Sequence, residues 1–125
     1  MEKELTKAEE QIMDFLWELE KAFVKDIIKA MPEPRPAYTT VSTIIRILEK
    51  KGFVSYESFG KTHRYYPLIS KEEYSEQCTR SLVHRYFSNS VGNLVSFFTK
   101  KENLSLEELE ELQNLINEEI NKKKS

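Results

Sequence analysis

The sequence predicts a mainly α-helical chain with one small β-hairpin. Three observations carry this expectation. Thr6-x-x-Glu9, Ser70-x-x-Glu73 and Ser105-x-x-Glu108 each have capping-box spacing, apolar residues recur at helical intervals behind them, and two runs of β-formers flank Gly60. Helix, short helix, turn, helix and hairpin in that order make a winged helix-turn-helix domain over residues 1–69. Residues 70–125 then form a three-helix region.

The elements follow in order. Ala8, Ile12, Phe15, Leu16 and Leu19 lie on one face of a first helix over 6–20. Val24, Ile27, Ile28 and Met31 mark a short second helix, which Pro32, Pro34 and Pro36 prevent from continuing. Val41, Ile44, Ile45 and Leu48 line one face of a third helix that ends at Gly52, a fitting C-terminal cap. Residues 53–58 and 62–68 read as strands around a glycine turn, and two strands alone are marginal, so the hairpin must pack on the helices. A long helix runs from the Ser70 box to about residue 88. Val91, Leu94, Val95 and Phe98 form the next apolar stripe, and Leu109, Leu112, Leu115, Ile116 and Ile120 belong to the last helix. Lys122, Lys123 and Lys124 read as a frayed, solvated tail.

The third helix and the hairpin carry the chemistry. Opposite the apolar face stand short hydroxyl side chains, Thr39, Thr40, Ser42 and Thr43, with the cations Arg46 and Lys50 behind them. Short side chains let a helix approach base edges in the major groove, where Arg can fork onto guanine and Lys can reach phosphate. Lys61 and Arg64 in the hairpin are the expected phosphate contacts of the wing. His63 beside them suits either a phosphate approach or strand packing. Between residues 35 and 66 the cations Arg35, Arg46, Lys50, Lys51, Lys61 and Arg64 face only Glu49 and Glu57. Residues 1–34 have the reverse balance, five lysines against nine acids, so within a net charge of −2 a polyanion would meet one basic face. The expected partner is double-stranded DNA.

Three helices in roughly 55 residues cannot bury their apolar side chains well in an independent monomeric core, so burial against a second copy is expected. A reader of palindromic DNA needs two heads, and a homodimer supplies them. A second function class is a winged helix used as a protein-interaction module without sequence-specific DNA binding, which the acidic first third would suit.

Other chemistry lacks its parts. Gly52, Gly60 and Gly92 are the only glycines, so no glycine-rich phosphate loop can be built. Cys78 and His84 fall on different faces of one helix, and Cys78 reads as a small buried apolar residue, not a metal ligand or nucleophile. No cofactor and no enzymatic activity are expected. The single cysteine excludes an intramolecular disulfide, Met1-Glu2-Lys3-Glu4 is too polar for a signal peptide, and no apolar run approaches a membrane span. The chain reads as cytoplasmic, with no membrane insertion.

Four stretches stand out together: Leu5-Thr6-Lys7-Ala8-Glu9 with Ile12-Met13 and Leu16-Trp17, the run from Tyr38 through Thr39-Thr40-Val41-Ser42-Thr43 to Lys50-Lys51-Gly52-Phe53-Val54, Arg64-Tyr65-Tyr66-Pro67-Leu68, and Leu94-Val95 through Asn103-Leu104-Ser105. In these residues the sequence resembles the penicillinase repressor family, the BlaI and MecI repressors of β-lactam resistance. The resemblance implies a homodimeric repressor with an N-terminal winged helix and a C-terminal dimerisation region, bound to an inverted-repeat operator. It also implies release by a membrane sensor metalloprotease that answers a β-lactam, with a cut here between Phe97 and Phe98. Members that are cut commonly carry Asn at the position of Phe97. The C-terminal cysteine cluster of the copper-responsive relatives is missing, so metal sensing by that route is not implied.

Overall fold

The computed structural model describes residues 4–125, which form six helices and one two-stranded antiparallel sheet. Helix α1 (Lys7–Leu19) begins at the Thr6 box, where Thr6 N–H donates to Glu9 Oε1 at 2.8 Å and Glu9 N–H to Thr6 Oγ1 at 3.2 Å. Helix α2 (Val24–Ala30) is short, and Arg35 closes its C-terminal end by donating to the carbonyls of Met31 and Lys29. Helix α3 (Tyr38–Lys50) ends in a Schellman motif: Gly52 N–H donates to Glu49 O and Phe53 N–H to Leu48 O, with Gly52 at φ +84°.

The three helices share one core. Ile12, Met13 and Leu16 of α1, Ile27 of α2, and Val41, Ile45 and Leu48 of α3 are all buried to within 1% of full enclosure. Each such side chain contributes about 1.5–3 kcal/mol of burial free energy. Helical spacing predicted these faces apart from two corrections on α1: Met13 fills an interior place that the spacing did not assign, while Ala8 and Leu19, expected on that face, lie in the first and last turns and stand exposed.

Strands β1 (Val54–Phe59) and β2 (Thr62–Pro67) pair in the register Val54↔Pro67, Tyr56↔Tyr65 and Ser58↔His63. Gly60 (φ +62°) and Lys61 make the two-residue turn, and positive φ at the first central position alone fits type II′. The hairpin is anchored by a feature the sequence did not disclose. Ala22, just before α2, exchanges backbone hydrogen bonds with Tyr65, N–H to O at 2.9 Å and 2.8 Å, so a third short segment joins the sheet.

The chain divides into two compact units, the first reaching Thr79 and the second starting at Arg80. Helix α4 (Lys71–Tyr86) starts at the Ser70 box, close to the expected boundary, and the first unit runs on through its opening turns. Tyr74 is the reason. It is 7% exposed, packs against the rings of Trp17 and Phe53, and its hydroxyl donates to Glu10 Oε2 at 2.9 Å. Burial, together with Cys78 and Glu10, pushes this phenol upward, which keeps it a proton donor. Trp17 Nε1–H in turn donates to Ile69 O at 2.8 Å, fixing the chain as it leaves β2. Cys78 is exposed, contrary to the expected burial, because Tyr74, one turn earlier, fills the interior position.

The second unit contains the end of α4, α5 (Val91–Lys101) and α6 (Leu106–Lys124). Ser90 and Ser105 cap the N-termini of α5 and α6 through their hydroxyls. The expected frayed tail is helical, since α6 continues through Lys124. Neither α5 nor α6 has a buried residue, and Val91, Val95, Leu115, Ile116 and Ile120 all stand exposed. No helix among the described residues is long and apolar enough to cross a membrane.

Candidate nucleic-acid interface

On α3 the structure separates residues that the sequence put on one polar face. Thr39, Thr40, Thr43, Arg46 and Lys50 are exposed, whereas Ser42 is 8% exposed and belongs to the inner side. Its Oγ accepts a hydrogen bond from Arg46 Nη2 at 3.1 Å. Thr43 Oγ1–H donates to Thr39 O at 2.8 Å. Its hydrogen is therefore engaged, and toward a base it can offer only an acceptor oxygen or a methyl group.

Strand alternation divides the wing in the same way. Tyr56, Ser58, His63 and Tyr65 share the face turned toward the core, and Glu57, Phe59, Arg64 and Tyr66 share the other. His63 stacks on Tyr56 with centroids 3.9 Å apart and 11° between planes, so it is a packing residue here. Arg64 is half-buried on the outer face, where Nη2 pairs with Glu57 Oε1 at 3.0 Å and the guanidinium lies 4.9 Å from the Phe59 ring centroid. The Arg64 and Lys21 hydrogen bonds hold the Glu57 carboxyl below the usual carboxylate range. Lys61 stands exposed at the turn.

Internal partners thus engage most of the basic inventory of residues 35–66, Arg46 on Ser42 among them. Arg35 closes α2, Arg64 pairs with Glu57, and Lys51 Nζ reaches Glu9 Oε1 at 2.7 Å. Burial works to raise the Glu9 carboxyl, but the Lys51 ammonium and the Thr6 N–H outweigh it and hold the group below its ordinary value. Arg46, Lys50 and Lys61 remain exposed to meet an anion. The sequence reading missed Lys25, which lines a groove of about 490 Å³ between α3 and the wing together with Arg46 and Lys61. Tyr38, Thr62, His63 and Phe23 also line it. The contact of Ala22 with Tyr65 brings α2 to this groove, and no local sequence pattern announces a bridge between segments so far apart.

Phe97 and Phe98, the expected cleavage position, lie inside α5, remote in sequence from this face, and are 52% and 51% exposed. Phe97 keeps one ring contact, with Phe87 at 5.5 Å.

Comparison with known proteins gives this geometry its context. The family profile described as "Penicillinase repressor" matches residues 5–118. The chain belongs to the penicillinase repressor family. Among its relatives, the methicillin resistance regulatory protein MecI of Mammaliicoccus sciuri is 30% identical over 115 residues, which is 91% of this chain and 94% of that protein. The penicillinase repressor of Bacillus licheniformis is 26% identical over 122 residues, covering 97% of this chain and 95% of that one. The solution structure of the DNA-binding domain of the repressor BlaI superposes with a TM-score of 0.51 at 25% identity, covering 59% of this chain and 94% of that domain. Membership in a penicillinase repressor family sets the chain among transcriptional regulators and outside the enzymes. The helix-and-hairpin architecture of the N-terminal unit is shared with that BlaI domain.

Proposed function

We propose that the chain is a homodimeric DNA-binding repressor that reads an inverted-repeat operator with α3 and grips the flanking backbone with the wing tip. The observation that carries this reading is the exposed row Thr39, Thr40, Thr43, Arg46 and Lys50 beside the exposed Lys61, on a fold shared with the BlaI DNA-binding domain. Arg46 is the base reader, held by the Ser42 hydroxyl. Lys50 and Lys61 supply phosphate contacts, which give affinity without sequence information. Arg64 supports the wing from its outer face.

Dimerisation through residues 70–125 is supported by the bare apolar side chains of α5 and α6, which amount to a surface that needs covering. Two linked heads make the second half-site contact intramolecular, which raises affinity without any new contact on the DNA. The repressor acts in the cytoplasm, and proteolysis between Phe97 and Phe98 by a membrane sensor metalloprotease would release it by breaking the dimer helix. The regulated genes are of the β-lactam-resistance type in this reading.

The test is a gel shift on duplexes from the region upstream of the gene, run alongside light scattering of the free protein. A dimer that prefers an inverted repeat over scrambled DNA, with affinity falling as salt rises, is expected. Equal affinity for all duplexes, or none for any, would overturn the reading.

A further inference from the structure

The groove between α3 and the wing is unlike a bare phosphate seat. Its volume of about 490 Å³ is that of a small-molecule site, and its charged lining is cationic only: Lys25 from α2, Arg46 from α3 and Lys61 from the turn. Phe23 and Tyr38 supply its open aromatic wall, with the nearly enclosed Tyr65 behind them. DNA that meets Arg46 with a base edge and Lys61 with a phosphate has no use for that wall. A flat organic anion uses both parts, its charge relieving the repulsion among three cations and its ring covering the aromatic surface.

We propose that this groove binds a small aromatic carboxylate and that occupancy excludes DNA. The exclusion rests on the reading that α3 and the wing bind DNA, because Arg46 and Lys61 would then serve both ligands. A ligand in the groove draws Arg46 inward and neutralises Lys61, so the two equilibria compete. Competition of this form lowers the apparent DNA affinity by a factor of one plus the ligand concentration over its dissociation constant, or about eleven-fold at ten times that constant.

The experiment uses the full chain, with benzoate as probe and the neutral benzamide as control, at constant ionic strength maintained with chloride. Backbone amide shifts of Phe23, Tyr38 and His63 should saturate with benzoate and not with benzamide, and Lys25→Ala should weaken the benzoate response at least several-fold. In a parallel gel shift on an upstream duplex, benzoate at ten times its half-saturating concentration should weaken binding about eleven-fold. The proposal is overturned if no saturable shift occurs at the groove, if benzamide acts as benzoate does, or if DNA affinity is unchanged with the groove saturated. Saturable benzoate binding by a chain that binds no DNA at all would separate the two ideas, sinking the DNA reading and with it the exclusion.

Discussion

The Ser42 hydroxyl accepts a hydrogen bond from the Arg46 guanidinium at 3.1 Å, one helical turn away, while Ser42 itself is almost fully enclosed. A long side chain at a reading position would otherwise sample many rotamers and lose that freedom on binding. Held by Ser42, it meets the base already oriented.

Ser42→Ala should therefore cost up to about 1.5–3 kcal/mol of cognate binding, the worth of one hydrogen bond from a charged donor, while scrambled DNA is bound as before. Anisotropy titrations on both duplexes measure it, with Ser42→Thr as the variant that restores the hydroxyl. Equal losses on both duplexes would mean that Ser42 acts on the fold and not on Arg46.

The two wing cations should part company. Lys61→Ala is expected to reduce the salt slope of binding by about one unit, because Lys61 is exposed at the turn and meets phosphate. Arg64→Ala should leave that slope alone and instead lower thermal stability by up to about 1 kcal/mol, since it removes a partly exposed ion pair with Glu57. A slope that falls with Arg64→Ala would return that residue to the DNA.

The helix starts at Thr6, Ser70 and Ser105, the Gly52 stop and the apolar faces were legible because each is a local pattern written within a few residues. The exposure of Thr39, Thr43, Arg46 and Lys50 followed from the periodicity of α3, which wrongly put the enclosed Ser42 beside them, and that of Lys61 from its place in the glycine turn. What escaped depends on pairing at long range: Ala22 on Tyr65, Tyr74 into the first core, Arg35 onto α2 and Lys51 onto Glu9. Counting cations cannot tell an engaged charge from an exposed one. Strand alternation does place Arg64 and His63 on opposite faces of the wing, and that signal was present in the sequence.

Glu9 and Lys51 make a pH-dependent clamp between the start of α1 and the end of α3. Because the folded carboxyl lies below its ordinary value, its contribution is present above the unfolded glutamate pKa of about 4.3 and is lost as the pH falls through the folded value. Urea unfolding across that acid range should show the wild-type chain losing stability more steeply than Glu9→Gln. At neutral pH, Lys51→Ala should destabilise by about 1–3 kcal/mol, since it leaves the buried Glu9 carboxylate without its cation and held by the Thr6 N–H alone. Parallel pH profiles for the wild type and Glu9→Gln would remove the clamp.

A chain truncated after Thr79 should fold as a monomer and be more stable than one truncated after Ile69, because only the longer form keeps Tyr74 against Trp17 and Phe53. Loss of a buried aromatic of this kind costs about 3–5 kcal/mol. Denaturant midpoints and light scattering read the two halves of this expectation. Equal midpoints would make Tyr74 dispensable, and a dimer of the longer form would show that α5 and α6 are not needed for dimerisation.

The position of Phe97 and Phe98 sets a stricter condition on release. Both lie within α5, whose backbone is hydrogen-bonded from the Leu94 N–H to Ser90 O through to the Glu102 N–H to Phe98 O, and a protease needs an extended strand that a helix yields only by opening locally. The rings are half exposed in the single chain, and in the proposed dimer the stripe of Val91, Leu94, Val95 and Phe98 faces the second copy. Opening of α5 would then cost more in the dimer than in the monomer, and cleavage should quicken as the protein is diluted below its dimer dissociation constant. Chymotrypsin, which cuts after aromatic residues, serves as a probe, with the products followed by mass spectrometry over a dilution series. A cut after Phe97 or Phe98 that accelerates on dilution, and leaves a product with weakened operator affinity, is the expected result. A rate per molecule that does not change with concentration would show that α5 is as open in the dimer as outside it, and would take this helix out of the interface.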